Sequence, residues 1–264
     1  MHVPEKCRPD FVVIVGRDNS YRTLKVGICR KCEDREVRVL NYLKELKSSH
    51  NGRYCVRRPE DSFEIKVPDG YHYCLVYDPL GQSLLENDKR QRDMTLNINT
   101  VRWIATYVLT AVDYLHTCGV VHTGKHFINH WRFDSARCIR SDIKLDNIQS
   151  TLPDEESIIL ASFVGAERSQ PSFRKRIDDQ LTIYTSRPFD ASDVFHYPIL
   201  GDFGSAVFNK AHYEGLIQPI PYRAPEVILR MNWTSSVDIW NIGVMVRDSS
   251  SHTRSRRLCK SLTC

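Results

Sequence analysis

The sequence predicts an α+β fold, a small strand-rich part followed by a mainly helical one. Three observations carry this. The first eighty residues alternate short β-branched and aromatic runs with turn signals. From about residue 97 apolar residues recur at helical spacing. The longest unbroken apolar run near the start, FVVIV (Phe11 to Val15), is far too short to span a bilayer and is expected to be a strand.

Taken in order, DFVVIVGR and YRTLKVGI are two strands separated by the turn-like DNS. A helix is expected over about Glu33 to Lys47, where Val37, Leu40, Leu43 and Leu46 recur every three residues. SSHNG should end it, with Gly52 in the position a C-cap prefers. SFEIKV and YHYCLVY, split by PDG, form a hairpin. Ile98, Val101, Ile104, Ala105, Val108, Leu109, Val112 and Leu115 make one apolar stripe, capped by Asn99 or Thr100 and stopped at Gly119. Residues 149 to 198 mix charge, Ser and Pro without a clear period and are expected to be mainly a long excursion. PILGDFGSAVF returns to a strand and turn, and TSSVDIWNIGVMV to a buried helix carrying Trp240 and Ile242.

With 264 residues, 41% hydrophobic and 26% charged, the chain can bury a sizeable core and is not of disordered type. No signal peptide or membrane anchor is read from it. Nine cysteines without framework spacing point to reduced thiols, in the cytoplasm or nucleus. Much of the net charge of +5 sits in the last eighteen residues, RDSSSHTRSRRLCKSLTC. Such a basic tail can meet RNA or acidic partners, but a solvated terminus is the simpler reading.

Phosphoryl transfer from ATP needs separate parts: a Lys for the nucleotide phosphates, a carboxylate to orient that Lys, a carboxylate for the hydroxyl proton, and an Asn with a further carboxylate for Mg²⁺. The chain supplies candidates in that order: Lys25 in TLKV, Glu36 in DREV, Asp142 and Asn147 in DIKLDN, and Asp202 in GDFG. YRAPEV (Tyr222 to Val227) and DIW (Asp238 to Trp240) follow. Any one of these arises easily by chance, whereas the ordered set does not.

That set resembles the eukaryotic protein kinases, and more closely the serine/arginine-rich-protein-specific kinases of the fungal branch. Those kinases carry H-T-D-I-K-x-D-N where most have H-R-D-L-K-x-x-N. LVYDPLGQSLLE resembles their hinge, IQPIPYRAPEVIL their substrate-side segment, and RPEDSFEI and IDDQLTIYTSRPF their connecting segments. The resemblance spans about Phe11 to Val246 and implies a two-lobed fold: residues 1–80 as N-lobe and hinge start, 81–246 as C-lobe with a spacer at 149–198, and 247–264 as a tail outside the family pattern. It implies that Lys25 binds the α and β phosphates and Glu36 pairs with it. Asp142 would be the catalytic base, Lys144 would neutralise the transferring phosphoryl, and Asn147 and Asp202 would ligate Mg²⁺. Tyr77 would be gatekeeper, with the backbones of Asp78 and Leu80 reading adenine. Pro221, Tyr222 and Arg223 would shape the substrate pocket, and Asp238 would brace the catalytic loop. The implied partner is a protein substrate, of the kind found in Arg/Ser-rich splicing factors, with no direct nucleic acid, no membrane and a monomeric enzyme. Against the family pattern, the glycine-rich loop and the helices after NIGVMV are expected to be missing.

One feature interrupts the pattern. VVHT and DIKLDN stand eighteen residues apart; deleting Gly124 to Ser141 restores VVHTDIKLDNIQ. Eighteen residues correspond to 54 nucleotides. Gly-Lys can be encoded by GGTAAG, which contains a splice-donor sequence, so the segment is read as an in-frame retained intron.

Other readings stay open at this stage. His122, His126 and His130 at i, i+4 and i+8 suit zinc only with a fourth ligand, and Cys29 and Cys32 in CRKC lack a partner pair. A catalytically inactive kinase fragment that serves as a binding module, and a small-molecule kinase, are the two functional rivals.

Overall fold

The computed structural model describes residues 10–15, 20–27, 34–68, 70–85, 97–123, 143–153, 156–176, 182–184, 187, 196–208 and 211–250. The N-terminal part is a four-stranded antiparallel sheet of order β1-β2-β4-β3: β1 Asp10–Val15, β2 Tyr21–Val26, β3 Asp61–Val67 and β4 Gly70–Tyr77. The period of two puts Thr23 and Lys25 on the buried face of β2. The PDG hairpin forms as expected, with Val67 opposite Gly70, whose φ of 151° suits glycine.

Helix α1 (Arg35–Glu45) starts where Asp34 accepts a hydrogen bond from the Glu36 N–H. It buries Glu36, Val37, Val39, Leu40 and Leu43. Its end departs from expectation. Leu46 is the C-cap, and Gly52 lies instead in a 3-10 turn, Asn51–Cys55. A Cβ on Gly52 would stand 2.1 Å from the Thr110 carbonyl oxygen and 2.6 Å from Tyr114 Cβ. This glycine permits a close approach to another helix and terminates none.

That other helix is α2 (Ile98–Thr117), the longest among the described residues. Its cap is Asn97, ahead of both expected positions, because the Asn97 side chain accepts from the Asn99 N–H at 2.8 Å. Val101, Ile104, Val108, Val112 and Leu115 of the expected stripe are buried, together with Ala111 and Tyr114. Ile98 and Leu109 are exposed and Ala105 is half-buried, so the true stripe leans toward Ala111 and Tyr114. Gly119, at φ 70°, ends the helix as predicted.

Short pairs complete the second part: β5 (Val120–Val121) with β10 (Val207–Phe208), β6 (Ile148–Ser150) with β9 (Pro198–Leu200), and β7 (Arg174–Arg176) with β8 (Thr182–Tyr184). The 149–198 stretch is therefore not simply an excursion: it holds β7, β8 and helix α3 (Glu156–Ser169). Among the described side chains of α3 only Leu160 is buried. A helix so exposed has no apolar stripe to display.

Helix α4 (Pro225–Ile228) and helix α5 (Ser236–Ser250) follow. On α5 Val237, Ile242 and Met245 are buried, but Trp240 is 43% exposed, against the expectation that it packs inside. One core joins α1, α2 and α5. A second gathers Val121, Tyr213, Ile217, Ala224, Val227, Trp233 and Val237, with the Tyr213 and Trp233 rings stacked 4.4 Å apart. Among the described residues no helix is long and apolar enough to cross a membrane.

Candidate active site

Sheet pairing sets Lys25 opposite Leu75 of β4, and its side chain passes into the interior toward α1. There its Nζ donates to both carboxylate oxygens of Glu36, at 2.6 and 2.7 Å. Two side chains this buried, 6% and 10% exposed, tolerate charge only as a pair. Burial pushes the Glu36 carboxyl up from its ordinary range, and the Lys25 ammonium opposes that push. The Lys25 Nζ also lies 3.6 Å from Asp202 Oδ1.

Asp202 follows β9 at φ 62°, a left-handed conformation that Asp adopts more readily than most residues. Gly204 stands beside this carboxylate: a Cβ there would lie 3.4 Å from Asp202 Oδ1 and 3.9 Å from Glu36 Oε2. Asn147 closes a 3-10 turn, Leu145–Asn147, and its Nδ2 reaches Asp202 Oδ2 at 3.4 Å. A backbone bond from Gly201 N–H to the Asn147 carbonyl oxygen, 2.8 Å, fixes the two segments. Residues 25, 36, 147 and 202, far apart in the chain, thus share one cluster.

The remaining expected positions fall as follows. Tyr77 ends β4 and is buried, its hydroxyl pKa pushed well up by burial. Asp78 is exposed, with Arg22 Nη1 at 3.7 Å, and Leu80 is half-buried two residues on. Lys144 pairs with Asp146 at 3.0 Å. Asp142 lies outside the described residues, as do Gly124 to Ser141, Cys29, Cys32, His126 and His130. The third histidine of the zinc pattern, His122, is fully buried: its Nε2–H donates to the Gly201 carbonyl oxygen at 3.0 Å. Its ring meets Phe203 edge-on, with centroids 4.9 Å apart.

Asp238, also fully buried, accepts from the His122 and Thr123 N–H groups at 2.9 and 2.8 Å, and its Oδ2 lies 2.9 Å from His116 Nε2. These bonds hold the segment leading toward Asp142. Tyr222 is pushed up to about 12, chiefly by burial and then by Asp248.

Sequence reasoning overlooked a buried polar chain beside this site. Asn241 Nδ2 donates to Thr123 Oγ1 at 3.2 Å, and Gln218 Nε2 donates to Asn241 Oδ1 at 2.9 Å. Gln218 Oε1 in turn accepts from the Ala224 N–H at 2.8 Å. A left-handed Gln218, φ 60°, ties the IQPIPYR segment through Asn241 to Thr123. Nothing local in IQPIPYR announces that conformation.

The cluster suits a hard divalent cation and a polyphosphate. An Asn amide oxygen and a carboxylate are hard donors, and Mg²⁺ typically takes one or two carboxylates beside phosphate and water. Among the described residues no group of three His, Cys, Asp or Glu side chains converges as a metal cage. A cavity of about 450 Å³ lies apart from the cluster, lined by Arg35, Arg38, Val207, Phe208 and His212 among others.

No protein-family model matches the chain. It is 37% identical over 234 residues to a serine/threonine protein kinase of Aspergillus fumigatus, covering 87% of this chain and 51% of that protein. The chain is a protein-kinase homologue. The SRPK serine/threonine-protein kinase of Physarum polycephalum is 28% identical over 242 residues, 88% of this chain and 53% of that one. A CLK dual specificity kinase of Mus musculus is 27% identical over 233 residues, 88% and 38% of the two chains. The kinase homologue therefore spans about half the length of the first two of these relatives. A crystallised kinase domain superposes with a TM-score of 0.61 at 22% identity, covering 95% of this chain and 63% of that one, and shows the two-lobed kinase fold.

Proposed function

We propose that this kinase homologue transfers the γ-phosphoryl group of Mg-ATP to Ser or Thr hydroxyls of a protein. The observation that carries the reading is the meeting of Lys25, Glu36, Asn147 and Asp202 around one space. Glu36 holds the Lys25 ammonium in place, so its charge is available to the α and β phosphate oxygens. Asn147 and Asp202 would hold Mg²⁺, which when bound supplies positive charge to the phosphate oxygens. Asp142 accepts or orients the proton of the attacking hydroxyl, and Lys144 offsets charge on the transferring group. The backbones of Asp78 and Leu80 read the adenine edge behind Tyr77. Little covalent chemistry is asked of the protein; positioning and charge supply the acceleration.

Likeness to the Physarum SRPK favours Arg/Ser-rich proteins as substrates, and cysteines without framework spacing suit the cytoplasm and nucleus as the place of action. The test is transfer of labelled phosphate from Mg-ATP to an Arg/Ser-repeat peptide by the full chain. Asp202→Ala should remove transfer by roughly 10²-fold or more while the protein stays folded. Unchanged transfer by that variant rejects the assignment. Binding of Mg-ATP without any transfer would make the protein a nucleotide-dependent binding module.

A further inference from the structure

Arg57 touches three segments that phosphoryl transfer needs held still. It follows the Asn51–Cys55 turn, and its N–H donates to the Leu200 carbonyl oxygen at 2.8 Å, while Val56 bridges Leu200. The end of the α1–β3 connection is thereby fastened to β9, two residues before Asp202. The Arg57 residue is 8% exposed. Its Nη1 donates to Gln149 Oε1 at 2.6 Å, and Gln149 stands two residues after Asn147. Its Cζ lies 4.5 Å from the centroid of the Tyr77 ring. Its aliphatic stem runs along the backbone before Asp202: a Cβ on Gly201 would be 3.5 Å from Arg57 Cδ and 3.7 Å from the Asn147 carbonyl oxygen.

Burying a guanidinium is costly unless its donors and its charge are answered. Here a bond to the Gln149 amide oxygen, an aromatic face and the nearby Glu36 carboxylate answer the charge and the Nη1 donor, while the buried Nε makes no hydrogen bond among the described residues. Burial alone lowers the Arg57 pKa, and Tyr77 and Glu36 oppose the shift. Only a planar cation can stack on the ring while donating in its own plane to Gln149, so lysine is a poor replacement.

We propose that Arg57 is a positioning residue that locks Tyr77, at the adenine end of the cleft, to the Asn147–Asp202 pair at its phosphate end. The two ends then hold one spacing, set by a side chain that touches neither nucleotide nor substrate. The proposal rests on the kinase reading above, and it predicts a defect in the catalytic step larger than any defect in nucleotide capture.

The experiment uses the full chain with Arg57→Met, Arg57→Lys and Gln149→Leu, in steady-state kinetics against Mg-ATP and an Arg/Ser-repeat peptide. Arg57→Met should lower kcat roughly tenfold or more with the KM for ATP within about threefold. Arg57→Lys should recover only part of that loss. Gln149→Leu should lower kcat in the same sense, and adding it to Arg57→Met should cost little more, because both break one link. A folded Arg57→Met protein with the wild-type kcat, or a loss confined to KM, overturns the proposal. A second readout needs no turnover: calorimetry of adenosine, and of ATP with and without Mg²⁺. Arg57→Met should keep the adenosine affinity and lose about fivefold of the affinity that Mg²⁺ adds for ATP. If wild type binds Mg-ATP but transfers nothing, the transfer reading fails and this second readout still decides on Arg57. An undiminished Mg²⁺ gain in the variant rejects it.

Discussion

His122 shows how one buried side chain makes stability depend on pH. Its Nε2–H is committed to the Gly201 carbonyl oxygen, and its Nδ1 has no hydrogen-bond partner among the described residues. Protonating Nδ1 would bury a cation beside the Phe203 ring with no acceptor for the new proton. Burial therefore lowers the His122 pKa below 6.5, with Asp238 and Asp202 opposing and His116 assisting the shift. The unfolded chain takes up this proton first as pH falls. The stability contributed by neutral His122 is complete above pH 6.5 and is lost as pH drops through the depressed folded value. In denaturant titrations from pH 8 downward, wild type should lose stability below about pH 6.5 more steeply than His122→Gln, by up to about 1.4 kcal/mol per pH unit. Parallel curves for the two proteins would refute this. The same histidine looked like a zinc ligand in sequence because i, i+4, i+8 spacing says nothing of what already occupies each imidazole nitrogen.

At the scale of elements, the Asn51–Cys55 turn packs closely on α2 at Gly52. Gly52 has no room for a methyl group, since the atoms it would strike include the backbone oxygen of Thr110, which cannot swing aside. Gly52→Ala should destabilise the fold by about 1–3 kcal/mol, read as a lower urea midpoint with an unchanged slope. A midpoint equal to wild type would show that the turn can lift off α2 freely. Sequence patterning gave glycine the wrong duty because a C-cap and a close approach both require the absence of a Cβ. Only a partner helix distinguishes them. The stripe expected on α2 and the packing expected on α5 failed in a related way: Leu109 of α2 and Trp240 of α5 are large and apolar, yet both sit 43% exposed. Periodicity ranks residues by type, whereas burial follows from which neighbours arrive.

At the scale of the whole molecule, the segment 124–141 lies outside the described residues, and the residues on either side of it are well fixed. Thr123 is bonded to Asp238 and Asn241, and Ile143 is fully buried. We propose that this segment is translated from a retained intron. Sequencing the transcript should reveal a spliced message lacking those 54 nucleotides. A message that always carries them rejects the proposal. The chain deleted for 124–141 should transfer phosphate faster than the chain with them, because Asp142 would then follow Thr123 directly.

What the sequence determined by itself is local or ordered along the chain: the strands of the first sheet, the two long helices, the hairpin at PDG, and the order Lys25, Glu36, Asn147, Asp202. Those depend on period, turn chemistry and motif spacing, which a linear text preserves. Tertiary structure alone decided that Gln218 is left-handed and chained to Asn241, that Gly52 faces Thr110, and that Arg57 lies against Tyr77, Gln149 and Gly201. In each case the decisive partner is distant in sequence or the conformation is set by packing. A side chain's role then depends on which groups surround it, a fact that no pattern of neighbours along the chain encodes.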